Sequence, residues 1–236
     1  MLAGPFAFCR RPDGGRSYVS RRDMQNRPVQ MTPKKIPGRG GGKKKIAEAL
    51  KFLLRDRQFN AITTANIAET AGVSEALLYR YYGDKRGLLH QVLSDFIREY
   101  LDDLEPKLNR VRGTIGKMRM IMRCHLQLFK TNQVVAKILL LEVRSYPGYF
   151  ESQCYEQVRR YSRLIMDVLR RGVEDGDIPI RVSLEAIRNL MLGGIDYSCL
   201  PRIVYQKSFP PEIMADQMCK VLFCGMLKEK RSKKSG

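Results

Sequence analysis

The 236-residue sequence predicts an all-α fold, with a small three-helix unit near the N-terminus and a larger helical body behind it. Three observations predict it. Apolar residues recur at i, i+3, i+4 and i+7, and no stretch alternates as a half-buried strand would. Pro106, Pro147, Pro179, Pro201 and Pro210-Pro211 punctuate these stripes. Finally, Thr63 to Lys85, TTANIAETAGVSEALLYRYYGDK, has the spacing of two crossed helices joined by a tight turn.

Residues 1–42 are dominated by Gly, Pro, Arg and Ser and lack apolar periodicity, the composition of a disordered basic arm. The run from Met31, MTPKKIPGRGGG, reads as a native start, with residues 1–30 an upstream extension. Lys34, Lys35, Arg39, Lys43, Lys44 and Lys45 survive either way. Such an arm can follow phosphates or enter a minor groove, and a solvated tail is the plain alternative. The first helix is expected over about 43–57, with Ile46, Ala49, Leu50, Leu53 and Leu54 facing inward. Phe59 then plugs the small core. A second helix over 64–70 is capped by Thr63 or Thr64, and a third over 74–81 by Ser74. Gly72 in the bend is expected at positive φ. Asp84 caps a fourth helix, carrying Leu88, Leu89, Val92, Leu93, Phe96 and Ile97, that ends near Leu104 before Pro106. Body helices are expected over about 117–130, 133–145, 151–174, 183–199 and 211–228.

Within the crossed pair, Ile67, Ala71, Val73, Leu78 and Tyr81 supply an interior, and Ala68 is small where the helices approach. Taken alone, this pattern also fits an ordinary αα-hairpin. The second helix of the pair and the residues after it are more specific: Leu78-Tyr79, Tyr81-Tyr82, Gly83-Asp84-Lys85 and Leu88-Leu89. Together with Ile67-Ala68 and Ala71-Gly72-Val73-Ser74, the stretch from Ile46 to about Leu93 resembles the TetR family of bacterial repressors. Ala76 stands where Gly is common, Leu77 where Thr is common and Tyr82 where Phe is common; the missing hydroxyl at 77 puts one DNA contact in doubt. The resemblance implies a TetR-like architecture of three plus six helices. A helix-turn-helix DNA-binding domain over 43–93 would precede a helical ligand-binding and dimerisation domain over 94–230, with 231–236 a basic tail.

With Leu78 and Tyr81 turned inward, the third helix offers Ser74, Glu75, Ala76, Leu77, Tyr79 and Arg80 to a major groove. Arg80 suits guanine or a phosphate, Ala76 and Leu77 a thymine methyl, and Glu75 a cytosine amine or simply the cap turn. The resemblance implies that Thr63 or Thr64, Tyr79, Tyr82 and Lys85 hold the phosphate backbone. Lys43 and Lys44 would join them from the arm.

The formal net charge of +19 is unevenly spread. Residues 1–45 carry +10, residues 46–104 carry −2, residues 105–226 carry +7 and the last ten carry +4. The reader is itself not basic, so long-range attraction to DNA must come from the arm and the body. Charges interrupt every apolar run before the roughly 18 residues of a membrane span, and Leu2 to Phe8 is too short for a signal peptide. Cys9, Cys124, Cys154, Cys199, Cys219 and Cys224 are scattered without a C-x-x-C pair, which reads as free thiols in a reducing cytoplasm. With only His90 and His125 as imidazoles, no metal site or cofactor is expected. No phosphate loop, paired carboxylates or nucleophile–His spacing points to an enzyme.

In the body, Ile187, Leu190, Met191, Gly194, Ile195 and Ser198 share one side of a helix. Met214, Met218, Val221 and Leu222 share one side of another. These are the expected homodimer face, with intramolecular core the alternative. Gly193-Gly194 would then offset its helix cost of about 1 kcal/mol per Gly through close packing. The middle helices are rich in Met and aromatics, and the resemblance implies an inducer cavity among them. Its candidate residues are Met118, Met122, His125, Phe129, Glu142, Tyr146, Tyr155 and Arg159. The segments 139–145 (LLLEVRS) and 193–196 (GGID) resemble TetR-type repressors of fatty-acid degradation, which implies an acyl-CoA inducer with Arg159 or Arg160 at the CoA phosphates. Ordinary core packing is the alternative. Two other functions stay open: control of drug efflux by a lipophilic cation, and DNA organisation through the basic arm without sequence preference.

Overall fold

The computed structural model describes residues 41–179, 181 and 183–224, so most of the basic arm, the Met31 start and the tail lie outside the described residues. Among the described residues the architecture is all-α, as the apolar periods predict. α1 (Gly42–Leu53), α2 (Thr64–Ala71) and α3 (Glu75–Tyr82) form the reader, and α4 (Lys85–Asn109) leads into the body. α5 (Thr114–Thr131), α6 (Gln133–Lys137), α7 (Gln153–Glu174), α8 (Leu184–Val204) and α9 (Pro211–Cys219) complete it. α6 runs straight into a π-helical turn, Ile138–Glu142, and α9 into another, Lys220–Cys224.

Local chemistry explains the reader's bends. The Thr63 hydroxyl accepts from Asn66 N at 3.1 Å while Thr63 N donates to Asn66 Oδ1 at 3.2 Å. That reciprocal box makes Thr63, not Thr64, the cap of α2. Gly72 sits at φ 66°, ψ 40°, the left-handed conformation expected in the bend. Asp84 Oδ1 accepts from Gly87 N at 2.6 Å and starts α4. Ser74 flanks α3 in extended conformation but makes no side-chain cap bond.

Three expectations fail for packing reasons. α1 ends at Leu53 rather than near 57, because Leu54 is the last residue of its buried stripe. Pro106 lies inside α4, which continues to Asn109 because Leu104 and Leu108 are both buried on one face. Pro201 likewise lies inside α8, between buried Cys199 and Ile203. Tertiary burial outweighs the one backbone hydrogen bond that each proline removes.

One continuous core runs from Ile46, Leu50 and Leu78 in the reader, through Leu88, Leu89 and Leu93, to Ile121, Ile165 and Met191 in the body. α4 packs along α7, and α5 packs against α9. Arg160 of α7 reaches Asp102 at 3.0 Å and Glu105 at 2.8 Å on α4, so these carboxylates bind two helices together. Where α3 meets α4, a Cβ on Gly87 would stand 2.2 Å from the Tyr82 carbonyl oxygen. Backbone must move to admit it, so Gly87→Ala is expected to cost about 2 kcal/mol, lowering Tm by roughly 5 °C. Calorimetry of the purified variant checks this, and an unchanged melt would mean the α3–α4 contact is loose.

Candidate functional site

The reader presents a compact polar face. Glu75, Ala76, Tyr79 and Arg80 are exposed, as is Ser74 before them. Leu77 is half-buried and packs against the core near Gly42. Its position limits what it can offer a base. Tyr81, expected in the core, is 38% exposed, and its ring lies under Arg80 with the guanidinium carbon 5.4 Å from the centroid. α3 is only eight residues long, and Leu78 is its one fully buried side chain, with Leu77 and Tyr82 half-buried beside it. Thr64 Oγ1 and Tyr79 Oη stand 3.4 Å apart, joining α2 to α3 at the exposed edge. The Tyr82 hydroxyl donates to the Lys43 carbonyl at 2.8 Å, and Lys43 Nζ lies 5.7 Å over the Tyr82 ring. Burial pushes the Tyr82 phenol up to about 12, so it stays a donor. This clasp ties the start of α1 to α3 and leaves Lys44 beside it.

Lys85 has another task. Its ammonium donates to Phe59 O at 3.0 Å and Ile62 O at 2.6 Å and lies 4.4 Å over the Phe59 ring. Burial lowers its pKa. Two of its three N–H groups are spent inside the reader rather than on phosphate.

Arg86, which sequence reasoning overlooked, joins reader to body. Its guanidinium lies 5.3 Å from the Phe59 ring and 4.4 Å from the Tyr146 ring, and it meets Glu142 at 3.6 Å. Arg86 Nη1 and His90 Nε2 are buried without a hydrogen-bond partner. Glu142 and Tyr146 therefore meet at this joint; neither lines the cavity within the body, and Glu142 borders a second cleft.

The body is hollow. A cavity of about 580 Å³ lies between α4, α5, α7 and α8 and the segment after α6. Of the candidate inducer residues, His125, Phe129, Tyr155 and Arg159 line it. Met118 and Met122 do not: both are fully buried, and Met122 Sδ accepts from Cys219 Sγ at 3.5 Å on the α9 side. Arg160 also points elsewhere, to α4. The wall is mainly apolar, with Ile97, Leu128, Leu139, Val158 and Leu192. At the rim stand Arg159, Arg163 and Arg188. Glu156 pairs with both Arg159 and Arg163 at the surface, and their hydrogen bonds, Arg163's first, hold its carboxyl below the usual range. Arg144 meets Asp196 at 2.7 Å, joining the two short segments that the sequence singled out. An Arg pair at i, i+4 on a helix flanking a Met- and Tyr-rich region was the signal that would have found Arg163.

His125 Nδ1 lies 3.2 Å from the Tyr161 hydroxyl, and burial pushes the imidazole down to about 4. The Asp196 charge opposes this shift weakly and Arg144 adds to it. The folded protein thus refuses a proton that the unfolded chain accepts below its ordinary pKa near 6.5. Stability is complete above about 6.5 and should fall by about 3 kcal/mol as pH drops to about 4. A His125→Gln variant should flatten that slope in urea melts taken across this window; an unaltered slope would assign the loss to other groups.

A capped helix-turn-helix beneath a hollow helical body defines the class of helix-turn-helix regulators. The chain belongs to the tetR family of bacterial regulatory proteins, whose model matches residues 46–92. Residues 93–225 match the C-terminal region of YsiA-like proteins. The fatty acid metabolism regulator protein of Bacillus subtilis is 17% identical over 181 residues, covering 77% of this chain and 93% of that protein. The nucleoid occlusion factor SlmA of Photobacterium profundum is 29% identical over 164 residues, 66% of this chain and 81% of its own. In structure, the transcriptional regulator FadR from Bacillus subtilis, in complex with stearoyl-CoA, superposes with a TM-score of 0.71 at 17% identity. It covers 78% of this chain and 99% of that one. The fatty acid degradation regulator FadR from Bacillus halodurans gives 0.71 at 17%, covering 80% and 98%. At such identities the likeness is one of fold. Among the described residues no helix is long and apolar enough to cross a membrane, and no group of His, Cys, Asp and Glu could hold a metal ion.

Proposed function

We propose that this protein is a cytoplasmic transcriptional repressor that binds a near-palindromic operator as a homodimer and releases it when a long-chain acyl-CoA enters the body. The observation that carries the ligand class is the apolar cavity with Arg159, Arg163 and Arg188 at its mouth, which suits an apolar chain with an anionic head. Stearoyl-CoA bound to a regulator of the same fold supports it. Asp196 alone is acidic among the lining residues, and Arg144 neutralises it, which disfavours a lipophilic cation and hence the drug-efflux reading.

On the DNA, Ser74, Glu75, Ala76, Tyr79 and Arg80 would meet the major groove. Thr63, Thr64, Tyr82, Lys43 and Lys44 would hold the backbone around it, with Lys85 behind them bracing the reader. The dimer would form through α8 and α9, but through only part of the face first expected: Leu190, Met214, Met218 and Val221 stay available, while Ile187, Met191, Gly194 and Ile195 do not. Ile187, Met191 and Ile195 are buried inside the monomer, and Gly194 is filled by Met218, whose Cε would lie 2.9 Å from an added Cβ. One helical step round, Leu190 is 65% exposed and Tyr197 82%, and Gly193 has open space above it. Ile213 and Val221 are exposed on α9 and the turn that continues it, with Met214 and Met218 half-buried beside them. That apolar face is what a second copy would cover.

The test is fluorescence anisotropy on DNA from the protein's own promoter region at fixed salt, with and without hexadecanoyl-CoA. Tight binding released by the acyl-CoA but not by free CoA is the expected result. Binding without release would discard the lipid, and equal binding to random DNA would favour the architectural reading that the likeness to a nucleoid occlusion factor supports.

A further inference from the structure

The second cleft, of about 750 Å³, lies between reader and body and shares no lining residue with the cavity inside the body. The turn after α1, from Leu54 to Phe59, forms one wall. α6 and its π-helical continuation form another, and the end of α8 closes a third side. The volume is that of an ordinary small-molecule site.

Three cations line this cleft: Arg55 and Arg57 on the reader wall and Lys137 on the body wall. All three are exposed, and among the described residues none of their side chains makes a hydrogen bond or ion pair. By contrast Arg98, Arg144, Arg160 and Arg170 each hold a carboxylate. Two acids, Asp56 and Glu142, share the lining, but Arg86 already meets Glu142 at 3.6 Å. The surplus charge is therefore positive. Gln58, Gln133 and Gln206 add three amides, each able to donate and to accept. Leu141 and Val204 add apolar surface that is exposed without a ligand.

One of these residues is held at a cost. α8 ends in a left-handed cap, with Gln206 N donating to Ile203 O at 3.3 Å and Lys207 N to Arg202 O at 2.7 Å. Gln206 has φ 52°, and among the described residues it is the one non-glycine residue at positive φ. Glycine takes that position without strain and is its usual occupant. A long amide stands there instead, at the edge of the cleft. Backbone strain accepted beside a cavity points to a use for the side chain.

We propose that this cleft is a second ligand site, and that it takes a nucleoside polyphosphate. The phosphates would lie among Arg55, Arg57 and Lys137, which suit them as fork and point-charge donors. The glutamine amides would pair with the edge of the base, as Gln does with adenine, and Leu141 and Val204 would cover its faces. A bare inorganic anion would leave the amides and the apolar surface unused, and an uncharged ligand would leave the cations unused. The walls belong to both parts of the chain, so the occupant touches reader and body at once.

The test is titration calorimetry of the full-length protein with ATP, GTP, adenosine and inorganic triphosphate. At least one nucleotide is expected to bind about tenfold more tightly than either fragment. Arg57→Glu combined with Lys137→Glu should weaken that nucleotide about tenfold or more, and both positions are exposed, so the fold should hold. Gln206→Gly should weaken it about fivefold while leaving the melting temperature unchanged or higher. Arg163→Glu, at the rim of the body cavity, should leave nucleotide binding unchanged. Triphosphate binding as tightly as the nucleotides would reduce the cleft to a patch of charge and overturn the proposal. Loss of nucleotide binding in Arg163→Glu, but not in the cleft variants, would place the nucleotide at the other cavity and overturn it too. So would failure of both nucleotides to bind, and none of these results bears on release by acyl-CoA.

Discussion

Replacing Leu190 by Glu is expected to leave a folded monomer whose affinity for a full operator falls by about 10²-fold or more. Leu190 is 65% exposed and has little interior packing to lose, so the melting temperature of the monomer should hardly move. A carboxylate there would instead be buried against the same residue of a second copy across a two-fold axis, where like charges repel. Losing the dimer converts an intramolecular second binding step into an independent one, and the avidity goes with it. Sedimentation velocity together with anisotropy on full and half operators separates the effects: half-site affinity should stay the same. Met191→Glu is the contrasting control, because Met191 is fully buried and a charge there should unfold the protein. If Leu190→Glu remains a dimer with full affinity, the pairing surface lies elsewhere.

The distinction between Leu190 and Met191 marks the limit of what the sequence could carry. Apolar periodicity identified the helices and the side that each turns toward other protein. It could not say whether that protein is the same chain or another, because both partners are equally apolar. The reader was legible because its turn chemistry is local: Gly72 at positive φ and Asp84 capping α4 follow from residue type within a few positions. Tyr81 was misplaced because the short α3 fills its interior side with Leu78 and, half-buried, Leu77 and Tyr82, which leaves Tyr81 at the surface. The cavity was half legible. His125, Phe129, Tyr155 and Arg159 were found by composition, whereas Tyr100, Arg163 and Arg188 come from three separate helices that only the packing brings together. Glu142 and Tyr146 stand at the joint with Arg86 rather than on the cavity wall, and nothing in Ile-Leu-Leu-Leu-Glu announces the π-helical turn at 138–142 beside them.

That same turn leads to the second large effect, since residues of one strap alternately face the cavity and the joint with the reader. Leu139, Arg144 and Tyr149 line the cavity, while Glu142 and Tyr146 hold Arg86. Arg86 in turn lies against Phe59, which Lys85 fixes within the reader core. The joint is under-bonded in this state: Glu142 stands 3.6 Å from Arg86, and Arg86 Nη1 has no acceptor. A second cleft, of about 750 Å³, is bounded by Phe59 and Glu142 and leaves room beside it. An arrangement with an unmet donor and space to move suits an element with two packings, which a ligand can bias by contacting only one. Glu142→Gln is therefore expected to leave acyl-CoA binding to the free protein unchanged while cutting the ligand's effect on operator affinity by about tenfold, a coupling loss of about 1.4 kcal/mol. Arg86→Lys, which keeps charge but loses the planar stack on Tyr146, should do the same. Calorimetry without DNA and anisotropy with it provide the two readouts. If both variants keep the full release factor, the signal reaches the reader by another route, along the α4–α7 contact. If ligand binding itself is lost in both, Glu142 and Arg86 shape the cavity and the joint does not carry the signal.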